Sequence, residues 1–175
     1  MKNRAFTLIE LLVVVLIIGI LAAIAVPQYQ KAVLKADIHR GVSLVESLYQ
    51  AQQAYFLAHG DFATDIDELD VSIPKNESCT KISYAYDCDY GRIYWDSKSV
   101  QFQNRHNNLA TPLRAEIGYT RYMQTVEESD LNLTFNAGGR YCFAKPNDNN
   151  AMDICKNMGG TYMGESNIWI YYELK

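Results

Sequence analysis

Two groups of side chains in this 175-residue chain could do chemistry that their surroundings make conspicuous. One is a single carboxylate, Glu10, followed by Leu11 to Ala25 without any charge. The other is a set of four cysteines, Cys79, Cys88, Cys142 and Cys155, all far downstream of it. A charged side chain well inside a bilayer costs on the order of 3 kcal/mol, and less near the bilayer edge, so Glu10 calls for a partner. No Lys, Arg or His lies between Phe6 and Gln30. A counter-charge one helical turn away in the same chain is therefore unavailable, and the economical partner is a charge on another copy.

An even number of cysteines beyond an export-type apolar segment reads as two disulfides in an oxidising compartment. Four cysteines permit three pairings. Cys79–Cys88 and Cys142–Cys155 are favoured because each closes a short loop bounded by turn-forming residues, worth roughly 2–3 kcal/mol apiece through restriction of the unfolded chain. Zinc is disfavoured, since neither pair has a short C-x₂₋₄-C spacing. The acids Asp61, Asp65, Asp67 and Asp70 invite calcium, but the spacing and glycine of an EF-hand loop are missing, and solvated acids at a helix start are preferred. No nucleophile elbow, H-E-x-x-H, phosphate loop or dinucleotide fingerprint is present, and His39, His59 and His106 are isolated. The expectation is a non-enzyme with no cofactor and no metal. The net charge of −4 gives no reason for a nucleic-acid-binding face, and Arg105, Arg114, Arg121 and Arg140 are scattered among acids.

The elements that must position these residues follow from periodicity. Phe6 to Pro27 is long enough, at roughly 33 Å as a helix, to cross the hydrocarbon core of a bilayer. Beyond Pro27 the pattern becomes amphipathic: Leu34, Ile38, Val42, Val45, Leu48, Tyr49, Tyr55 and Phe56 share one helical face, and Lys31, Lys35, Asp37, Arg40 and Glu46 the other. Gly60 is the expected left-handed cap, giving one helix from Phe6 to His59 of near 80 Å. Pro27 should bend or loosen it, because proline removes a backbone donor. Gly19 and Gly41 are either further weak points or places of close packing. Residues 61 to 75 connect, with a short helical turn at 65–70 whose Ile66 and Leu69 plug a core.

From Ile82 the period drops to two: Ile82, Tyr84 and Tyr86; Ile93 and Trp95; Val100 and Phe102. Leu131, Leu133 and Phe135, then Asn136-Ala137-Gly138-Gly139, then Tyr141 and Phe143 read as a hairpin. Ile168, Ile170, Tyr172 and Leu174 form a last strand, and Ala151 to Ile154 a single helical turn. The fold expected is α+β: a long N-terminal helix, part membrane and part amphipathic, packed on an antiparallel β-sheet head. Its divisions are 1–5, a leader; 6–27, the membrane half of the helix; 28–60, the amphipathic half; and 61–175, the head. Thirteen tyrosines suit strands and half-buried sheet surface, and nothing in the sequence gives them a ligand-stacking role.

Ala5-Phe6-Thr7-Leu8-Ile9-Glu10-Leu11-Leu12, after a short leader with Lys2 and Arg4, resembles the class III signal of type IV pilins and type II secretion pseudopilins. The resemblance covers roughly residues 1 to 60. It implies cleavage between Ala5 and Phe6 by a prepilin peptidase, methylation of the new Phe6 amine, an assembly role for Glu10, and a mid-helix proline at Pro27. It also implies polymerisation with other pilins through an inner-membrane platform and its ATPase. The chain would wait as a single-pass inner-membrane protein with its head outward, then enter a surface pilus or a periplasmic pseudopilus. A C-terminal disulfide loop is a further family feature, matched by Cys142 to Cys155. Ala5 departs from the family's usual glycine, which implies slower or tolerated processing. Loss of Lys2 and Arg4 takes the formal charge from −4 to −6. Two other readings stay open: a secretory signal peptide cut after Ala23-Ile24-Ala25, and a plain single-span anchor. Either would make the head a monomeric binding module.

Overall fold

The computed structural model describes residues 7–71, 73, 79–104 and 116–175. Helix α1 runs Leu8–His59, 52 residues and about 78 Å at ~1.5 Å per residue. Thr7 is its N-cap, and Gly60 ends it in the left-handed conformation, with φ 86° and its N–H donating to the Phe56 carbonyl. The helix is unbroken through Pro27. Proline has no N–H to give the carbonyl one turn back, so the Ala23 carbonyl lacks its helical donor.

Eight strands form one antiparallel sheet: β1 Cys79–Ile82, β2 Ala85–Cys88, β3 Gly91–Trp95, β4 Ser99–Asn104, β5 Ile117–Tyr122, β8 Arg140–Ala144, β9 Gly160–Glu165 and β10 Ile170–Leu174. Their order is β1-β2-β3-β4-β5-β8-β10-β9. A separate two-stranded ribbon pairs β6 Val126–Glu128 with β7 Leu133–Phe135. Between β8 and β9 lies a nine-residue helix, α2 Asn149–Asn157, capped by Asp148 and longer than the single turn expected.

The C-terminal half of α1 lies on one face of the sheet, against β3, β4 and β5. Leu34, Ile38, Val45 and Leu48 are buried there with Ile93, Val100, Phe102, Ile117 and Tyr119. The alternation expected for β3 and β4 holds, every second residue facing this core. Ile66 and Leu69 plug it from the connecting segment, which has a single 3₁₀ turn at Ile66–Glu68. Gly41 is a place of close approach: a Cβ there would collide with the Phe102 ring.

Several expectations need correction. Ile82, Tyr84 and Tyr86 do not share a strand, because the chain reverses at Ser83-Tyr84. That reversal sets Cys79 directly opposite Cys88 and closes the disulfide between them. The Asn136–Gly139 turn does not join paired strands: β7 pairs with β6, and β8 with β5 and β10. The turn is instead stitched to β5, Gly138 donating to the Tyr122 carbonyl at 2.7 Å, while Tyr141 Oη accepts from the Asn136 N–H at 2.7 Å. Phe135 and Tyr141 meet edge to face across it, holding the ribbon down on the outer face of the sheet. Leu131 and Ile168 fall outside strands, and β5, β6 and β9 carry no alternation strong enough to have been expected.

On α1, Phe56 is exposed, and Gln52 takes a buried place that an apolar residue would have been expected to fill. Glu46 is not on a solvated face. It accepts from the Tyr119 hydroxyl and pairs with Arg121 at 3.3 Å, Arg121 in turn lying over the Tyr49 ring.

Candidate functional site

The N-terminal half of α1 leaves the head entirely. Every Leu, Ile and Val from Leu8 to Val26 is between 45% and 83% exposed, and the first buried residue of the helix is Leu34. Burying a Leu, Ile or Val is worth roughly 1.5–3 kcal/mol, so a stem of this composition standing in water forfeits tens of kcal/mol. It needs lipid or the stems of other chains around it. By length and composition it can cross a membrane, with a mean hydropathy of 3.1 over its most apolar window.

Glu10 sits on the first turn of this stem, and the fold gives it a partner that charge counting overlooks. Thr7 and Glu10 form a reciprocal capping box. The Glu10 carboxylate accepts from the Thr7 N–H at 2.8 Å and from the Thr7 hydroxyl at 2.7 Å, while the Glu10 N–H donates to Thr7 Oγ1 at 3.4 Å. Both bonds to the carboxylate end on Oε2, so Oε1 has no partner among the described residues. No ion pair reaches Glu10 among those residues. The T-x-x-E spacing that signals this cap stands in the sequence at Thr7 to Glu10 and makes Thr7 a site residue in its own right. Ala5 and Phe6, the expected cleavage and methylation positions, lie outside the described residues. Pro27 lies 17 residues beyond Glu10, roughly 26 Å along the axis, between the bare stem and the buried part of the helix.

The cysteines pair as Cys79–Cys88 and Cys142–Cys155. The second disulfide fastens α2 to β8, with both sulfur-bearing residues buried. Two of the four acids considered for calcium, Asp65 and Asp67, have a protein counter-charge instead. Lys81 Nζ lies 2.8 Å from Asp65 and 2.5 Å from Asp67, and the Tyr86 hydroxyl donates to Asp67. These hydrogen bonds hold both carboxyls below the usual aspartate range. Among the described residues no group of His, Cys, Asp and Glu is arranged to hold a metal ion. His39 and His59 are separate on α1, and His106, Arg105 and Arg114 lie outside the described residues.

A sequence model of the family described as type IV pilin-like G and H matches residues 40–137, and one of the prokaryotic N-terminal methylation motif matches residues 1–26. Among curated proteins, the chain is 36% identical over 75 residues to the type IV major pilin protein PilE1 of Neisseria gonorrhoeae, covering 43% of this chain and 46% of that relative. It is 44% identical over 68 residues to the type IV major pilin protein PilA of Myxococcus xanthus, 37% of this chain and 31% of the relative. A fimbrial protein of Pseudomonas aeruginosa is 52% identical over 55 residues, 31% of this chain and 36% of the relative. The chain thus spans less than half the length of each of these relatives. No solved structure matches it.

Proposed function

We propose, given that this chain belongs to the type IV pilin-like G and H family, that it is a structural subunit of a type IV pilus-like filament. The observation that carries this reading is the bare apolar stem of α1 with a single carboxylate on its first turn. In this reading a prepilin peptidase removes residues 1–5 and the Phe6 amine is methylated. The subunit waits in the inner membrane with Lys2 and Arg4 on the cytoplasmic side before cleavage, as the positive-inside rule favours. Cleavage creates a cation at the end of each stem. Glu10 of one subunit then meets the Phe6 amine of its neighbour.

The capping box suits both stages. Two donors from Thr7 satisfy Oε2 and reduce the cost of holding a carboxylate near lipid, since unsatisfied buried groups are the expensive ones. Oε1, without a partner among the described residues, can accept from the neighbour's amine, a carboxylate having room for several donors. Attraction between the two charges is strong in a low dielectric, yet desolvation offsets much of it. The ion pair therefore sets axial register, and contact among the apolar side chains from Leu8 to Val26 supplies most of the cohesion. One heterologous contact repeated about a screw axis gives an open fibre. Addition of subunits would use a platform protein and its ATPase.

The role is structural rather than catalytic. The similarity to type IV major pilins favours a pilus over a type II secretion pseudopilus. Mass spectrometry of the mature N-terminus from the native host tests the reading. A chain beginning at methylated Phe6 is expected. A chain beginning at Val26 would make this a secreted protein, and an uncut Met1 a plain anchor; either overturns the proposal.

A further inference from the structure

The outer face of the sheet, turned away from α1, divides into two halves. Tyr94, Gln101, Thr120 and Tyr141 stand opposite one another in register across β3, β4, β5 and β8. The β6–β7 ribbon covers the Tyr141 end of that row, packing Leu133 and Phe135 on it. At the other end a cleft of about 450 Å³ is left open, walled by Tyr84, Tyr94, Asp96, Ser99, Gln101 and Gln103.

Three features of this cleft point to one class of ligand. Tyr84 and Tyr94 hold near-parallel rings, centroids 6.2 Å apart and planes 15° apart, and Tyr84 is 59% exposed at the tip of the β1–β2 turn. Gln101 and Gln103 lie two residues apart on the same face of β4, half-buried, and neither amide has a side-chain hydrogen bond among the described residues. Each amide offers two donors and an acceptor beside the rings. Arg92 is held by Asp87 at 2.7 and 3.2 Å, reaches Tyr94 Oη at 3.4 Å and lies over the Tyr94 ring, 5.9 Å from its centroid. Asp96 adds a carboxylate that accepts from the Lys98 and Ser99 N–H groups.

The exposed Tyr84 ring beside half-buried Tyr94 suits a ligand with flat C–H surfaces, and idle amides suit one with adjacent hydroxyls. The described residues that wall the cleft include no Lys or Arg and one carboxylate, which disfavours phosphates and acidic polymers. A pyranose ring combines C–H faces, hydroxyl edges and no charge. We propose that this cleft binds a neutral oligosaccharide, with Tyr84 and Tyr94 stacking on a sugar face and Gln101 and Gln103 bonding its hydroxyls. The volume falls within the ordinary range for small-ligand clefts. The site is independent of the stem, so it stands or falls separately from filament assembly.

Calorimetry on the full chain in a sugar-free detergent, with chitohexaose, cellohexaose and maltohexaose as probes and a twelve-nucleotide oligothymidylate as the anionic control, tests it. At least one hexasaccharide is expected to bind with Kd of ~1 mM or tighter, about tenfold weaker in Tyr84→Ala and retained in Tyr84→Trp. Tyr84 lies in an exposed turn, and circular dichroism of each variant checks that the head stays folded. Absence of binding by all three sugars up to ~10 mM, unchanged affinity in Tyr84→Ala, or preference for the oligothymidylate overturns the proposal.

Discussion

Gln52 is a polar residue on α1 whose hydrogen bonds matter more than its hydropathy. Gln52 is fully buried, and its amide closes two bonds on one residue, donating to the Ala63 carbonyl at 3.0 Å and accepting from the Ala63 N–H at 2.9 Å. This pair fixes the path of the chain after Gly60. Replacing Gln52 by Leu keeps the volume and strands both backbone groups, so the head should lose about 1–3 kcal/mol in chemical denaturation. Residues of this kind resist reading from sequence, because apolar periodicity assigns no place to a buried amide. Gly41 is similar: the sequence leaves it between weak point and close contact, and only the Phe102 ring over it decides. Thr7 is the opposite case, since its T-x-x-E spacing to Glu10 is legible to anyone asking about caps rather than counter-charges.

At the scale of elements, α1 and β5 meet through a polar cluster set within the apolar interface. Burial first, and the hydrogen bond to Glu46 second, push the Tyr119 hydroxyl well above the ordinary tyrosine value of 10.0. A group whose pKa is raised by folding stabilises fully below its unfolded value and loses that contribution as pH climbs toward the folded one. Stability of the head should therefore fall as pH rises above about 10, and Tyr119→Phe should flatten part of that fall at a cost of about 1 kcal/mol at neutral pH, read by denaturation across a pH series. A constant stability through that range would contradict the cluster's protonation. The long helix, its glycine cap and strands β3, β4 and β10 were legible because periodicity and turn chemistry agree in them. The Asn136–Gly139 hairpin misled, since a correct turn signature says nothing of which strands then pair, and here Phe135 and Tyr141 prefer ring contact across two sheets. Strands β5 and β9 were hidden by Gly118, Thr120, Gly160 and Gly164, which blur the alternation.

Among the described residues the molecule is a head with a buried core and a stem with none. All of its described apolar packing lies from Leu34 onward, while Leu8 to Val26 presents apolar side chains on every side. That division was the most legible feature of the sequence, because an uncharged run of this length has few physical fates. In the proposed function, which fate applies turns on Glu10. Filament assembly with Glu10→Ala as the sole copy, alongside a membrane-fraction assay of the same variant, measures it most directly. Normal insertion of the variant with loss of ordered filaments is the expected result. Filaments of normal yield and regularity would show that the acid does not set the register between neighbouring chains.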